Sequence, residues 1–259
     1  MIKQFNIKTC MGNISALTFE PEITNNVGVL FMHGFGHHKC ETASLFTKIA
    51  KKLYENNVCS LLFDFYGFGD SDGVTETVTF DTMLENAKIA FEFLKKMVSK
   101  VYLVSCGISA TISCYFFDDI KMIIAISPRF DPFPSLEKLH LINTDSIIEI
   151  SDYLDNITFV NYLRSLGADS GNMGGYKMSR LFIESFLNKK PSYEILQHSN
   201  QMLLIHAEND FILYTQSYQK IINLCQCKII KGAERFFVDA KKQDEIIKIV
   251  SDKILNDDN

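Results

Sequence analysis

The chain has 259 residues, 47% of them hydrophobic and 22% charged, with a formal net charge of −5. That length allows a sizeable buried core, as one large α/β domain or two small ones, and the mild acidity gives no electrostatic reason to expect nucleic acid or an anionic membrane as a partner. The opening MIKQFNIKTCMGN carries no apolar run of signal-peptide length, and no stretch approaches the roughly 18–20 apolar residues of a membrane span. The seven cysteines are odd in number and several sit inside apolar runs, which reads as reduced thiols in a cytoplasmic protein.

Along the chain, apolar runs of strand length alternate with helical stretches. Val27 to Met32 is short and β-rich, and is soon followed by Gly34. Ser44 to Asn56 has helical spacing, with Leu45, Phe46, Ile49, Ala50 and Leu53 on one face. Cys59 to Phe65 is the next apolar run, and Asp81 to Lys96 reads as a helix. Val101 to Val104, Met122 to Ile126, Met202 to Ile205 and Cys227 to Ile230 read as further strands, and Lys241 to Leu255 as a final amphipathic helix. Continuous rather than alternating apolar runs imply strands covered on both faces, the mark of a mostly parallel sheet flanked by helices. Ligands of such sheets bind at the carboxyl ends of the strands, so the loops after the strands are the place to look for chemistry.

Between residues 130 and 200 the pattern changes. Pro132 and Pro134 break the chain, short helix-like pieces follow, and Gly167 to Gly175 is rich in glycine. This predicts a small helical cap inserted over the sheet's carboxyl edge within one domain spanning 1–259. Leu154, Phe159, Tyr162, Leu163, Leu181 and Phe182 are expected to line a pocket or the seam beneath the cap. His33, His37, His38 and Cys40 lie close together, but no second ligand cluster has a recognisable spacing; they are expected to form a turn after a strand, with no metal and no cofactor.

Four loops carry the functional argument. His33-Gly34-Phe35-Gly36 follows a strand, where a backbone N–H could approach a developing oxyanion. Asp64-Phe-Tyr-Gly67-Phe-Gly69-Asp70-Ser71 follows the next strand. A DxYGxGxS loop some 30 residues after an HG turn resembles the α/β-hydrolase superfamily, nearest its feruloyl/cinnamoyl-esterase and serine-aminopeptidase-like branch. The resemblance covers roughly residues 25 to 255 and is weakest in the cap. It implies an α/β-hydrolase fold and a Ser–Asp–His triad at the ends of particular strands.

At two of those three triad positions the residue cannot perform the chemistry. The nucleophile elbow should be Ser105-Cys106-Gly107-Ile108-Ser109-Ala110, and the family's small-x-nucleophile-x-small-small pattern places Gly107 at the nucleophile. Two other registers stay open: Ser109 attacks if the strand runs two residues longer, Cys106 if the turn comes one sooner, with His37 or His38 entering as base. Asp210 takes the place of the triad acid. Where the family reads Gly-Ala-x-His, this chain has Gly232-Ala233-Glu234-Arg235, and no histidine follows His206. Arg235 stays protonated and cannot be a general base, but could ion-pair with Asp210.

The expected protein is therefore a non-catalytic hydrolase homologue. It would retain Phe35 and Ile108 as backbone donors and bind a small acyl, aromatic or ester-like ligand under the cap, or a protein partner. The competing expectation is an active acyl hydrolase working through Ser109 or Cys106.

Overall fold

The structure, a computed structural model, describes residues 1–130, 148–149, 177–178, 180–186, 189, 191–210 and 216–256. An eight-stranded sheet forms its centre, in the order β1-β2-β4-β3-β5-β6-β9-β10. Its strands are β1 (Ile2–Lys8), β2 (Asn13–Phe19), β3 (Val27–Met32), β4 (Cys59–Phe63), β5 (Lys100–Cys106), β6 (Met122–Ile126), β9 (Met202–Ala207) and β10 (Gln226–Ile230). The pairings from β4 through β3, β5, β6 and β9 to β10 are parallel. β1 pairs antiparallel with β2, and β2 antiparallel with β4.

The inner strands are fully buried along their whole length in β3, β4, β6 and β9, which is what their unbroken apolar runs require. Helices α1 (Leu45–Tyr54) and α6 (Ala240–Asn256) cover one face, where Phe46, Ile49 and Leu53 meet Ile246, Val250, Phe31 and Val29 in one core. Helices α2 (Phe80–Lys95) and α3 (Ser109–Ser113) cover the other, with Phe80, Met83, Ala87, Leu94 and Ile112 packed on Leu30, Leu61 and Leu103. The Thr79 hydroxyl caps α2 by accepting from Thr82 N–H at 3.2 Å.

The β1–β2 hairpin was not expected from the sequence. β1 exposes most of its residues, so it lacks the continuous apolar run that marks the inner strands; it is an edge strand held by one neighbour. Most of the expected cap lies outside the described residues, including Leu154, Phe159, Tyr162 and Leu163. Its described parts are helices α4 (Arg180–Phe186) and α5 (Ser192–His198) and a two-residue antiparallel ribbon, β7 (Ile148–Glu149) with β8 (Lys177–Met178). Leu181 is 53% exposed and lines nothing, a correction to the expectation for that residue, whereas its neighbour Phe182 is completely buried. Adjacent helix positions face about 100° apart, and here the seam takes only one of them.

Candidate functional site

The loops after β3, β4, β5, β6, β9 and β10 meet at the carboxyl edge of the sheet. β5 ends at Cys106 and α3 begins at Ser109, so the chain reverses through Gly107 and Ile108. Gly107 has φ +59°, a left-handed conformation that costs an ordinary residue about 1–2 kcal/mol. Its N–H donates to Ile126 O at 3.1 Å and its carbonyl accepts from Arg129 N–H at 2.9 Å, which ties the turn to the end of β6. Among the described residues, a Cβ built on Gly107 would meet nothing nearer than Gly34 Cα at 3.7 Å. The sharp strand-to-helix turn is therefore present, with open space where a side chain would project.

The two alternative nucleophiles sit differently. Ser109 is completely buried; its hydroxyl lies 2.7 Å from Met32 O and 2.9 Å from Cys106 O, and accepts from Cys106 N–H at 3.2 Å. It clamps the start of α3 to the ends of β3 and β5 and has no path to a substrate. The Cys106 thiol is held well above its ordinary value, first by burial and then by the Glu41 carboxylate, to which it hydrogen-bonds. An attacking cysteine needs the thiolate, and this environment opposes it.

Asp210, just after β9, has a side chain with no exposure, and two guanidiniums approach it. Arg235 Nη1 donates to Asp210 Oδ2 at 2.7 Å, while Arg129 Nη2 lies 3.7 Å from Oδ1. Arg235 Nη2 reaches Ser127 O at 3.4 Å, and the Ser127 hydroxyl donates to Arg235 O at 3.1 Å. The ion pair and this reciprocal pair of bonds lock the loop after β10 to the ends of β6 and β9. Charge-assisted bonds of this kind are the strong ones. Arg235 also lies over the Phe236 ring at 5.9 Å. Its sequence position marked it out; Arg129 went unnoticed, because only the pairing of β6 with β9 carries it to Asp210. Ser127-Pro128 at the end of a strand was the available signal.

Of the histidines, His33 is completely buried: its Nδ1 is 2.8 Å from Gly34 O and its Nε2 accepts from Phe65 N–H at 3.1 Å. These contacts fix the neutral tautomer with the proton on Nδ1, and burial lowers its pKa. His37 Nδ1 is 3.1 Å from Glu41 Oε1 and its ring lies 5.9 Å from that of Phe236. His38 Nδ1 accepts from Cys40 N–H at 3.3 Å. His206, buried in β9, is pushed down to about 4 by desolvation, against the pull of Asp210 and with the help of Arg235 and Arg129. Glu41, which no sequence pattern announced, is nearly buried and accepts from Gly34 N–H at 2.9 Å as well as from Thr42 N–H at 3.1 Å. No group of three or more His, Cys, Asp or Glu among the described residues is arranged to hold a metal ion, and no described helix is long and apolar enough to cross a membrane.

Backbone strain gathers at this edge. Apart from Asn26 and Asn57, in turns ahead of β3 and β4, the described non-glycine residues with positive φ are Glu41, Ala43, Ser44, Ser127 and Phe237. All five lie on loops that follow strands, where strain persists only if surrounding bonds over-determine it. Phe35, beside the turn, packs against Phe68 at 5.3 Å and against Phe182 of α4 at 4.8 Å.

No protein-family model matches the chain, and no curated protein sequence does. Solved structures do. The α/β hydrolase GrgF from Penicillium sp. sh18 superposes with a TM-score of 0.75 at 15% identity, over 99% of this chain and 98% of that one. Est1E from Butyrivibrio proteoclasticus with ferulic acid bound superposes at 0.72 with 18% identity, over 97% and 98%. A soluble variant of monoglyceride lipase from Saccharomyces cerevisiae, in complex with a substrate analogue, gives 0.70 at 14% identity, over 99% and 96%. With the parallel sheet, the turn after β5 and the acid after β9, these likenesses show that the chain has the α/β-hydrolase fold.

Proposed function

We propose that the protein is a non-catalytic member of this fold that uses the carboxyl-edge site to bind a small acyl or aromatic ligand. The observation that carries the reading is the pairing of Arg235 with Asp210 at 2.7 Å beside a turn whose apex is Gly107. Nucleophilic acyl transfer needs an attacking side chain and a base within hydrogen-bond reach of it. Glycine provides no nucleophile. Arginine cannot accept a proton, and here it occupies the acid that would orient a base. Ser109 is spent on Met32 and Cys106 O, and the Cys106 thiol gives its hydrogen bond to Glu41 rather than to a histidine. The bound ferulic acid of Est1E belongs to that protein, and it motivates testing aromatic acyl compounds here.

The expected result is no measurable hydrolysis of phenyl acetate or methyl ferulate by the unmodified protein. Gly107→Ser with Arg235→His should produce esterase activity, and either change alone almost none, because triad members act as a unit whose loss costs about 10⁴-fold or more. Ester turnover by the unmodified protein that disappears in Cys106→Ala or Ser109→Ala would overturn the reading.

A further inference from the structure

Resting on the non-catalytic reading, we infer that the emptied turn is a receptor for a carboxylate: the ligand is a small aryl or alkyl carboxylic acid, bound as its anion, and not the corresponding ester. Three observations converge. The first is space. Among the described residues the position a Cβ would take on Gly107 is open, with Gly34 Cα at 3.7 Å as the nearest atom, so a ligand oxygen can come down on the backbone where a side chain would otherwise stand. The second is donors. The N–H groups of Phe35 and Ile108, on either side of that space, donate to no acceptor. The third is charge. The Arg235 guanidinium, held 2.7 Å from Asp210, places a fixed cation at this edge of the sheet. The hydrogen bonds of the Arg235 side chain go to Asp210 and, at 3.4 Å, Ser127 O, and that side chain is 12% exposed; the rest of its five N–H donors remain available to a ligand.

The other charged group close by, Glu41, has its oxygens engaged by Gly34 N–H, Thr42 and His37. An ester would offer the two backbone donors a neutral carbonyl. A carboxylate offers them one charged oxygen and gives Arg235 the other, and charge-assisted bonds are roughly twice as strong as neutral ones. The rings of Phe35 and Phe236 on the flanking loops suit an apolar remainder. Specificity of this kind comes from leaving donors unpaired when the wrong ligand binds.

The test uses the full chain and four acids as probes (acetate, butyrate, benzoate and cinnamate), each against its methyl ester, with binding followed by calorimetry or saturation-transfer NMR at pH 7. At least one acid should bind ten-fold or more tightly than its ester. Gly107→Ser, which fills the space and leaves the Arg235–Asp210 pair alone, should weaken that acid at least ten-fold. Arg235→Gln should do the same, and Gly107→Ser decides the matter should Arg235→Gln fail to fold. Acids and esters binding alike, no acid binding, or an affinity unmoved in Gly107→Ser would each overturn the proposal. The two readings separate cleanly, because inert esters together with no preference for the acid would sink the carboxylate receptor alone, whereas ester turnover would sink the non-catalytic reading.

Discussion

Two clusters at the carboxyl edge of the sheet, built from neighbouring loops, differ in how completely they are bonded. The first joins the loops after β3 and β4. Lys39 Nζ lies 2.7 Å from Asp64 Oδ2 and 2.6 Å from Asp70 Oδ2, and both the Lys39 and Asp70 N–H groups donate to Asp64. The Ser71 hydroxyl donates to Asp64 O at 2.7 Å and accepts from Ser15 N–H at 2.8 Å. His33 spans the same two loops. The second cluster, around Gly107, keeps, among the described residues, an open space and two backbone donors with no acceptor. The difference teaches what the DxYGxGxS loop signals. Its Asp and Ser are consumed in holding the sheet's edge together, so in this chain the loop serves the frame and says nothing of catalysis. The residues that bear on the proposed loss of catalysis are those at the turn after β5 and in the loop after β10, Gly107 and Arg235.

The contrast is broken most severely at Lys39. Burial alone would lower its pKa, but its hydrogen bonds to Asp64 and Asp70 outweigh that and raise it. Asp64 has no exposure, so Lys39→Met leaves a buried carboxylate with only backbone donors. Removing one partner of a buried ion pair costs about 3–5 kcal/mol. A fall of that size in denaturant-derived stability is expected, against less than about 1 kcal/mol for Asp70→Asn, whose side chain is 67% exposed. Gly69→Ala should also be severe, since its Cβ would stand 2.4 Å from the Asp64 carboxylate at a φ of +53°. Equal tolerance at Lys39 and Asp70 would show that the cluster is not the brace described.

A smaller effect is expected from acid. His206 titrates at about 4 in the folded protein against an ordinary 6.5. Above pH 6.5 it is neutral in both states and contributes no pH dependence. As the pH falls from 6.5 towards 4 the unfolded chain takes up a proton that the folded chain refuses, so stability drops, by about 3 kcal/mol, and the slope ends below 4. His33 is shifted in the same direction by burial, so each side of the comparison holds one such group. Chemical denaturation at several pH values should show His206→Gln losing part of the slope between 6.5 and 4 and retaining the part due to His33. An unchanged slope would mean that His206 is not held neutral.

Much of this was legible in the sequence, for identifiable reasons. Burial on both faces writes itself as unbroken apolar runs, so β3 to β6 and β9 could be read directly, as could α2 from its spacing; β10 is mostly exposed and was read from a shorter run. The turn at Gly107 was legible through the small residues a tight reversal needs, and the place of Arg235 through Gly232-Ala233 ahead of it. Three things were not. β1 exposes five of its seven residues and lacks the unbroken apolar run that marks the inner strands. The Ser109 hydroxyl meets Met32 O, 77 residues away in the chain, and no local pattern distinguishes that clamp from a nucleophile. Arg129 owes its role to loops that only the strand order brings together, and Glu41 turns back on Gly34 of its own loop with no sequence pattern to announce it.

The finest test of the comparison sets Ser109 against Gly107, two residues apart on the same turn. Ser109→Ala removes a buried hydroxyl that accepts from Cys106 N–H and whose single proton is shared between Met32 O and Cys106 O. Leaving buried backbone groups short of a partner costs about 1–3 kcal/mol, so a clear fall in Tm is expected. Gly107→Ala adds a methyl group to open space, its nearest neighbour 3.7 Å away, and costs only the left-handed backbone term of about 1–2 kcal/mol, less whatever the alanine withdraws from the entropy of the unfolded chain. The smaller stability effect should therefore belong to the residue at the heart of the turn, and the larger to the serine beside it. Binding should show the reverse order: Ser109→Ala leaves the donors of Phe35 and Ile108 in place and should hold a carboxylate as the parent does, whereas Gly107→Ala occupies its seat. If Ser109→Ala proves the milder change for folding and the more damaging for binding, then Ser109 faces the ligand and the division between a bonded frame and an open site runs elsewhere.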